Sequence, residues 1–158
     1  MPSNEMAAQH TLRYEVSPRI SNRDLNVLYA DAWPNHSPFD FGPVLKRSLP
    51  YICAFEGREL VGFTYLAWDG SQHAFLLEPT VATRLRHRGI GKGLVRRAVQ
   101  QARRRRLAWV HVDYESRLGR FYRACGFVNT RAGLINLQAK RASSTPRGRS
   151  PPSMKSRM

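Results

Sequence analysis

Arg86-His87-Arg88-Gly89-Ile90-Gly91-Lys92-Gly93 is the stretch on which the reading of this chain turns. An apolar, strand-like run (residues 74–81) precedes it, and a strongly amphipathic helix begins near Gly91. A glycine-rich turn from a strand into a helix leaves several backbone N–H groups unpaired and aimed the same way. The helix dipole adds positive potential at that point. Glycine also opens turn conformations closed to other residues and lets a ligand approach the backbone. The stretch therefore reads as a seat for a phosphate or pyrophosphate.

Two common phosphate motifs do not fit it. A mononucleotide P-loop needs a hydroxyl after the lysine to hold magnesium, and Gly93 follows Lys92 instead. In a dinucleotide fingerprint the third glycine would come one residue later, and an acidic residue would follow about twenty positions on; here the following chain is arginine-rich. The bland alternative is an ordinary glycine-rich connection between strand and helix.

Working outward, Leu94, Val95, Ala98, Val99 and Ala102 form one helical face, with Lys92, Arg96, Arg97, Gln100, Arg103 and Arg104 on the other. The arginines at 103–106 read as a solvated helix end that suits the C-terminal dipole. Residues 107–112 then read as a strand, with Ala108, Val110 and Val112 on one side and Trp109, His111 and Asp113 on the other. Leu118, Phe121, Tyr122 and Cys125 recur at helical spacing, and Gly126 sits where a left-handed C-cap belongs, with Phe127 as its closing contact.

Upstream, residues 11–16 read as a first strand. A helix follows from Ser21, whose partner Asp24 makes a capping pair, with Leu25, Leu28 and Ala32 as its stripe. Prolines limit residues 35–50 to one short helix near 44–49. Strands are expected at 51–55, 60–68 and 73–81, with a hairpin turn at Asp69-Gly70-Ser71. Pro79 cannot donate to a sheet ladder, which predicts a bulge there. Residues 133–137 read as a last strand. The expected class is α/β: a mixed, mostly antiparallel sheet with helices on both faces.

The net charge of +15 divides unevenly. Residues 139–158 hold six of those charges, no acidic residue, and much serine and proline, so they read as a disordered basic tail. Residues 1–10 read as a disordered N-terminus without signal-peptide character, and 11–138 as one domain. No apolar run approaches the roughly 18 residues of a membrane span. The two cysteines, Cys53 and Cys125, have no zinc spacing, and no metal is expected. The cytoplasm is the expected compartment.

Arg86-x-x-Gly89-x-Gly91 resembles the acyl-CoA pyrophosphate signature (R/Q-x-x-G-x-G/A) of the GNAT superfamily of N-acyltransferases. Phe121-Tyr122-Arg123-Ala124-Cys125-Gly126-Phe127 is similar to that family's second signature, F/L-Y-x-x-x-G-F, at the usual distance after the first. The resemblance spans residues 11–138. It implies a sheet splayed between two parallel strands, those ending at Val81 and spanning 107–112. The pantetheine arm of acetyl-CoA would pair with main-chain groups of Thr80, Val81 and Ala82. The pyrophosphate would rest on amides of Arg88, Gly89, Ile90, Gly91, Lys92 and Gly93, in the motif that Arg86 and His87 open.

Such a site must move an acetyl group from a thioester to a primary amine, which requires a base for the ammonium and a donor for the oxyanion. Tyr122 matches the family's usual acid for the departing thiolate. Glu78 and His111 are the candidate bases, each with a structural alternative: a surface carboxylate, or a hydrogen-bonded sheet histidine. Asp113 and His73 are weaker candidates. The acceptor is expected against Trp33, Phe39, Phe41 and Trp68. Two departures from the family pattern stand out: a basic Thr83-Arg84-Leu85, and Glu115-Ser116 in place of the usual asparagine ahead of a helix, which predicts a shifted or shortened acid helix. Relatives are commonly homodimers. The rival reading is a basic module that binds RNA or the ribosome non-specifically, with a vestigial CoA site.

Overall fold

The computed structural model describes residues 11–138; the expectations for 1–10 and for the basic tail at 139–158 lie outside the described residues. Ser21 begins the first helix as the sequence predicts. Its hydroxyl accepts from the Asp24 amide at 3.0 Å and donates to the Asp24 carboxylate at 2.7 Å. The elements, in order, are β1 (Leu12–Val16), α1 (Asn22–Ala32), α2 (Gly42–Arg47), β2 (Tyr51–Glu56), β3 (Glu59–Trp68), β4 (His73–Val81), α3 (Ile90–Arg104), β5 (Trp109–His111) and α4 (Gly119–Ala124).

The five strands lie in sequence order, antiparallel from β1 to β4, with β5 parallel to β4. Alternation along β3 shows how both faces are covered. A Cβ on Gly62 would meet Leu94 and Ile90 of α3, whereas Phe63 packs against Tyr29 of α1. The α3 stripe is buried as its spacing predicts, at Leu94, Val95, Ala98 and Ala102. Gly93 has a structural reason as well, because a Cβ there would collide with the Tyr14 hydroxyl and ring of β1.

The bulge expected at Pro79 is present. Phe63 pairs with Thr80 and Tyr65 with Leu77, so Glu78 and Pro79 together oppose Thr64. Gly126 takes the left-handed conformation (φ 96°), and the Phe127 amide donates to the Tyr122 carbonyl at 3.0 Å.

Two strand expectations, at 107–112 and 133–137, are corrected, and the expected shortening of the acid helix is present. The strand 107–112 contracts to Trp109–His111, because the Leu107 amide closes α3 by donating to Ala102, and Ala108 and Trp109 donate to Gln72. The acid helix is short, Gly119–Ala124, behind a separate turn at Ser116–Leu118. The last strand at residues 133–137 does not form. Leu134, Ile135 and Leu137 are 66%, 83% and 90% exposed, and an alternating pattern without a ladder to join stays irregular.

Candidate active site

The sheet parts where the resemblance requires it to. β5 pairs with β4 only across His73–Trp109, Ala74–Val110 and Phe75–His111. Beyond Phe75, β4 remains bonded to β3, while its other edge has no strand beside it among the described residues. Thr80, Val81 and Ala82 bury their side chains, and Ala82 donates its amide to Val61 at 2.8 Å. Only main-chain groups on the open edge are thus left for a ligand.

At the end of that opening the chain turns into α3. His87 (φ 62°) and Gly89 (φ 83°) both lie in the left-handed region. Gly89 is the N-cap of α3, and no side chain caps the helix. A Cβ on Gly89 would meet nothing within 4 Å. The glycine therefore serves the backbone turn, and the space in front of it is open. Ile90 and Gly91 are buried, Lys92 and Gly93 are partly buried, and His87, Arg88 and Gly89 face solvent. An uncapped helix start with clear space before it fits a diphosphate.

Arg86 anchors the turn: its guanidinium donates to the Ala32 carbonyl at the end of α1, at 3.0 Å. The unusual basic segment has a structural purpose as well. Arg84 bridges Glu56 at 2.6 Å and Glu59 at 2.8 Å, and the Thr83 amide donates to Asp31 at 2.6 Å. These contacts tie the turn to the β2–β3 hairpin and to α1.

Glu78 sits in the bulge with φ 48°, a conformation that costs a non-glycine residue about 1 kcal/mol or more. Its carboxylate accepts from the Tyr29 hydroxyl at 2.8 Å. Burial pushes the Glu78 carboxyl above its ordinary range, against the Tyr29 bond and the nearby His36, which pull it down. Tyr29 itself is raised well above its usual range, first by burial and then by the Glu78 charge, so the proton stays on tyrosine. Burial, with the Glu78 charge, also raises Tyr65, to about 12. His36 is oriented by Asn26 at 2.9 Å.

His111 lies at the apex of the splay, where the strands still pair. Its Nε2 is 2.7 Å from Nδ1 of His73, and its ring stacks on Phe75 with centroids 4.8 Å apart. That bond needs one N–H and one lone pair. Glu78 stands three positions along β4 from Phe75, the register partner of His111, on the order of 10 Å along a strand. The structure therefore does not bring the two candidate bases together. Asp113 is exposed beyond β5.

Tyr122 is completely buried. Its ring stacks on Tyr114 at 4.5 Å and meets Phe121 and Phe127 edge-on. Of the aromatic residues expected against the acceptor, Phe39 and Phe41 adjoin each other and connect to Trp33 through Tyr29, whereas Trp68 lies apart. Phe41 joins the core beside Tyr29, Trp33 donates to the Thr80 hydroxyl at 3.3 Å, and Trp68 is bonded to Ser71 at the hairpin. Phe39 is half exposed against Phe41. An open groove of about 280 Å³ lies between α2 and the β3–β4 face, lined by Pro43, Val44, Arg47, Ser48, Tyr65, Ala67 and Leu77.

Tyr29, Tyr65 and His36 were missed in the sequence reading. Tyr29 stands one turn after Leu25 on the core face of α1, and a buried tyrosine hydroxyl needs a polar partner. That was the available signal, though it did not name Glu78. Among the described residues no cluster of side chains could hold a metal ion, and no helix is long and apolar enough to cross a membrane.

A mixed sheet parted beside an uncapped, glycine-turned helix defines a GNAT-type acyltransferase fold. The Acetyltransferase (GNAT) family profile matches residues 19–127, and the chain belongs to that family. No curated protein sequence gives a significant match. Solved structures share the fold. A GNAT family acetyltransferase from Streptococcus pneumoniae TIGR4 superposes with a TM-score of 0.67 at 22% identity, covering 81% of this chain and 100% of that one. Glucosamine-6-phosphate N-acetyltransferase from Arabidopsis thaliana gives 0.62 at 11%, covering 78% and 97%. A Bacillus subtilis acetyltransferase in complex with CoA gives 0.58 at 23%, covering 73% and 76%.

Proposed function

We propose that this chain transfers an acetyl group from acetyl-CoA directly to a primary amine, both substrates being bound together. The observation that carries this reading is the uncapped start of α3 behind left-handed Gly89, opening onto the unpaired edge of β4. Amides of Ile90, Gly91 and Lys92 hold the diphosphate in this reading, with Arg88 at the rim. Main chain at Thr80, Val81 and Ala82 orients the acyl-carrying arm, and an unpaired β4 amide stabilises the developing oxyanion.

Glu78 takes the proton from the incoming ammonium. Its support is the raised carboxyl and the bond from Tyr29, which fixes the oxygen that remains to accept. Tyr29 acts as a positioning residue. The amine arrives through the groove bounded by α2, Tyr65 and Leu77. Tyr122 protonates the departing thiolate, an assignment that rests on its place in the second signature. His111 is the second candidate base, and its bond to His73 gives it a structural role in either case.

The test is acetyl-CoA-dependent thiol release across a panel of small amines and peptide N-termini, in parallel with Glu78→Gln and His111→Gln variants. Release that Glu78→Gln alone abolishes supports the assignment; release that is lost only in His111→Gln moves the base to β5. Absence of turnover together with absence of CoA binding would remove the reading altogether.

The second reading has one observation in its favour. Arg103, Arg104, Arg105 and Arg106 are all exposed and form no ion pair among the described residues. Nucleic-acid binding with a steep salt dependence and no response to CoA would establish it instead.

A further inference from the structure

The groove between α2 and the sheet is apolar along its floor and charged at two separate places. On the sheet side, Tyr65 and Leu77 are register partners that both line it, and Glu78 follows Leu77 into the bulge. The Glu78 charge acts on the Tyr65 hydroxyl, which places the carboxylate close to that end of the groove. On the helix side, Arg47 is the charged residue of the lining. Its guanidinium turns back on its own helix and donates to the Pro43 carbonyl at 3.2 Å. It forms no ion pair among the described residues, so most of its N–H fork is left for a ligand.

The direction of α2 sets these two charges apart. Its N-cap, Phe41, packs on Tyr29, the residue bonded to Glu78. Beyond its other end, the Leu49 amide donates to the Leu66 carbonyl at 2.7 Å. The six positions from Phe41 to Arg47 advance a helix by about 9 Å. Arg47 therefore belongs to the end of the groove away from Glu78. Between them lie the half-buried side chains of Val44, Ala67 and Leu77. Lys46 adds a second positive charge beside Arg47, and α2 contains no acidic residue. Asp40, ahead of the helix, is engaged by the Gly42 amide at 2.9 Å.

We infer that the acceptor is a short apolar peptide with a free carboxylate and that Arg47 selects it by binding that carboxylate, an inference that rests on Glu78 as the base facing the amine. The ammonium is drawn to Glu78, and the apolar side chains cover Val44, Ala67 and Leu77. The carboxylate then meets the planar guanidinium, whose paired N–H groups match its two oxygens. A polyamine is disfavoured, because its second cation would meet Arg47 and Lys46. A single α-amino acid carries its amine and carboxylate on one carbon and cannot reach both ends.

Leucyl-leucine and leucyl-leucinamide differ in the terminal carboxylate and provide the test. With acetyl-CoA saturating, the KM for leucyl-leucine should lie roughly fivefold or more below that for the amide, the measure of an ion pair at the edge of solvent. Arg47→Gln should bring the two KM values together, Arg47→Glu should reverse their order, and Arg47→Lys should restore part of the preference. Arg47 is exposed, so these changes leave the core intact. Calorimetric binding of the same dipeptides to the chain saturated with CoA reads the preference without turnover. Turnover of both at equal KM, or a preference that Arg47→Gln leaves intact, would overturn the inference and leave the transferase reading standing. An Arg47-dependent preference in calorimetry, in a chain that acetylates neither dipeptide, would sustain the carboxylate site and remove the transfer chemistry instead. Neither binding nor turnover of either dipeptide would also overturn the inference.

Discussion

The two walls of the cleft are built to different standards. β4 is bonded to β3 along its length, braced by α1 through Tyr29 and Trp33, and tied at its exit by Arg84 and Arg86. β5 has three residues, an exposed tryptophan and an irregular apolar segment downstream. Precise placement of a reacting group needs a rotamer locked by packing and hydrogen bonds. The β4 wall provides that for Glu78, whereas the β5 wall has the character of an unfinished surface. The difference favours the β4 wall as the place for the proposed base.

The sharpest way to break this comparison is at Glu78. Glu78→Gln keeps the shape and the Tyr29 contact but removes the base, and kcat should fall about 10²–10⁴-fold with donor affinity unchanged. Steady-state kinetics beside equilibrium CoA binding separate the two quantities. Tyr122→Phe should lower kcat by a smaller factor, again without loss of donor affinity; full activity would return that ring to the core, where its burial already places it.

Gly89→Val tests the donor end of the β4 wall. The left-handed φ of 83° is strained for a branched side chain, and that side chain would occupy the space before the helix. The KM for acetyl-CoA should rise roughly tenfold or more, equivalent to about 1.4 kcal/mol. Gly93→Ala, four residues on, should instead act on stability, by about 1–3 kcal/mol, because its Cβ meets the Tyr14 ring that Arg97 covers at 3.7 Å. Thermal melts distinguish the two glycines.

The smallest effect is the dependence of stability on pH. The folded Glu78 carboxyl is raised, so between its unfolded and folded values the native state binds the extra proton. Stability from this group is therefore present at acid pH and lost as pH rises through the folded value. Glu78→Gln should melt alongside the wild type at acid pH and above it at neutral pH. Tyr29→Phe removes a bond that lowers the Glu78 value, so the acidic limb of the kcat profile should move to higher pH.

What was legible in the sequence was local. The capping pair Ser21–Asp24, the bulge at Pro79, the left-handed Gly126 and the glycine turn into α3 each follow from a few adjacent residues whose backbone chemistry admits few alternatives. What was not legible was distant. Tyr29 and Glu78 are 49 positions apart, and His73 and His111 are 38 apart; no local pattern pairs them. Arg84 looked like a departure from the family turn because its acidic partners lie in another hairpin. The strand at 133–137 failed for the complementary reason. Its pattern is strand-like, but a strand requires a neighbour, and among the described residues none pairs with it.

The most direct measurement compares acetyl-CoA with acetyl-pantetheine as stabilisers of the full chain in a thermal-shift titration. If the bare amides of α3 hold the diphosphate, acetyl-CoA raises the melting temperature saturably, while acetyl-pantetheine, which lacks that group, does so only at far higher concentration. Equal potency of the two, or no shift with either, would contradict the account.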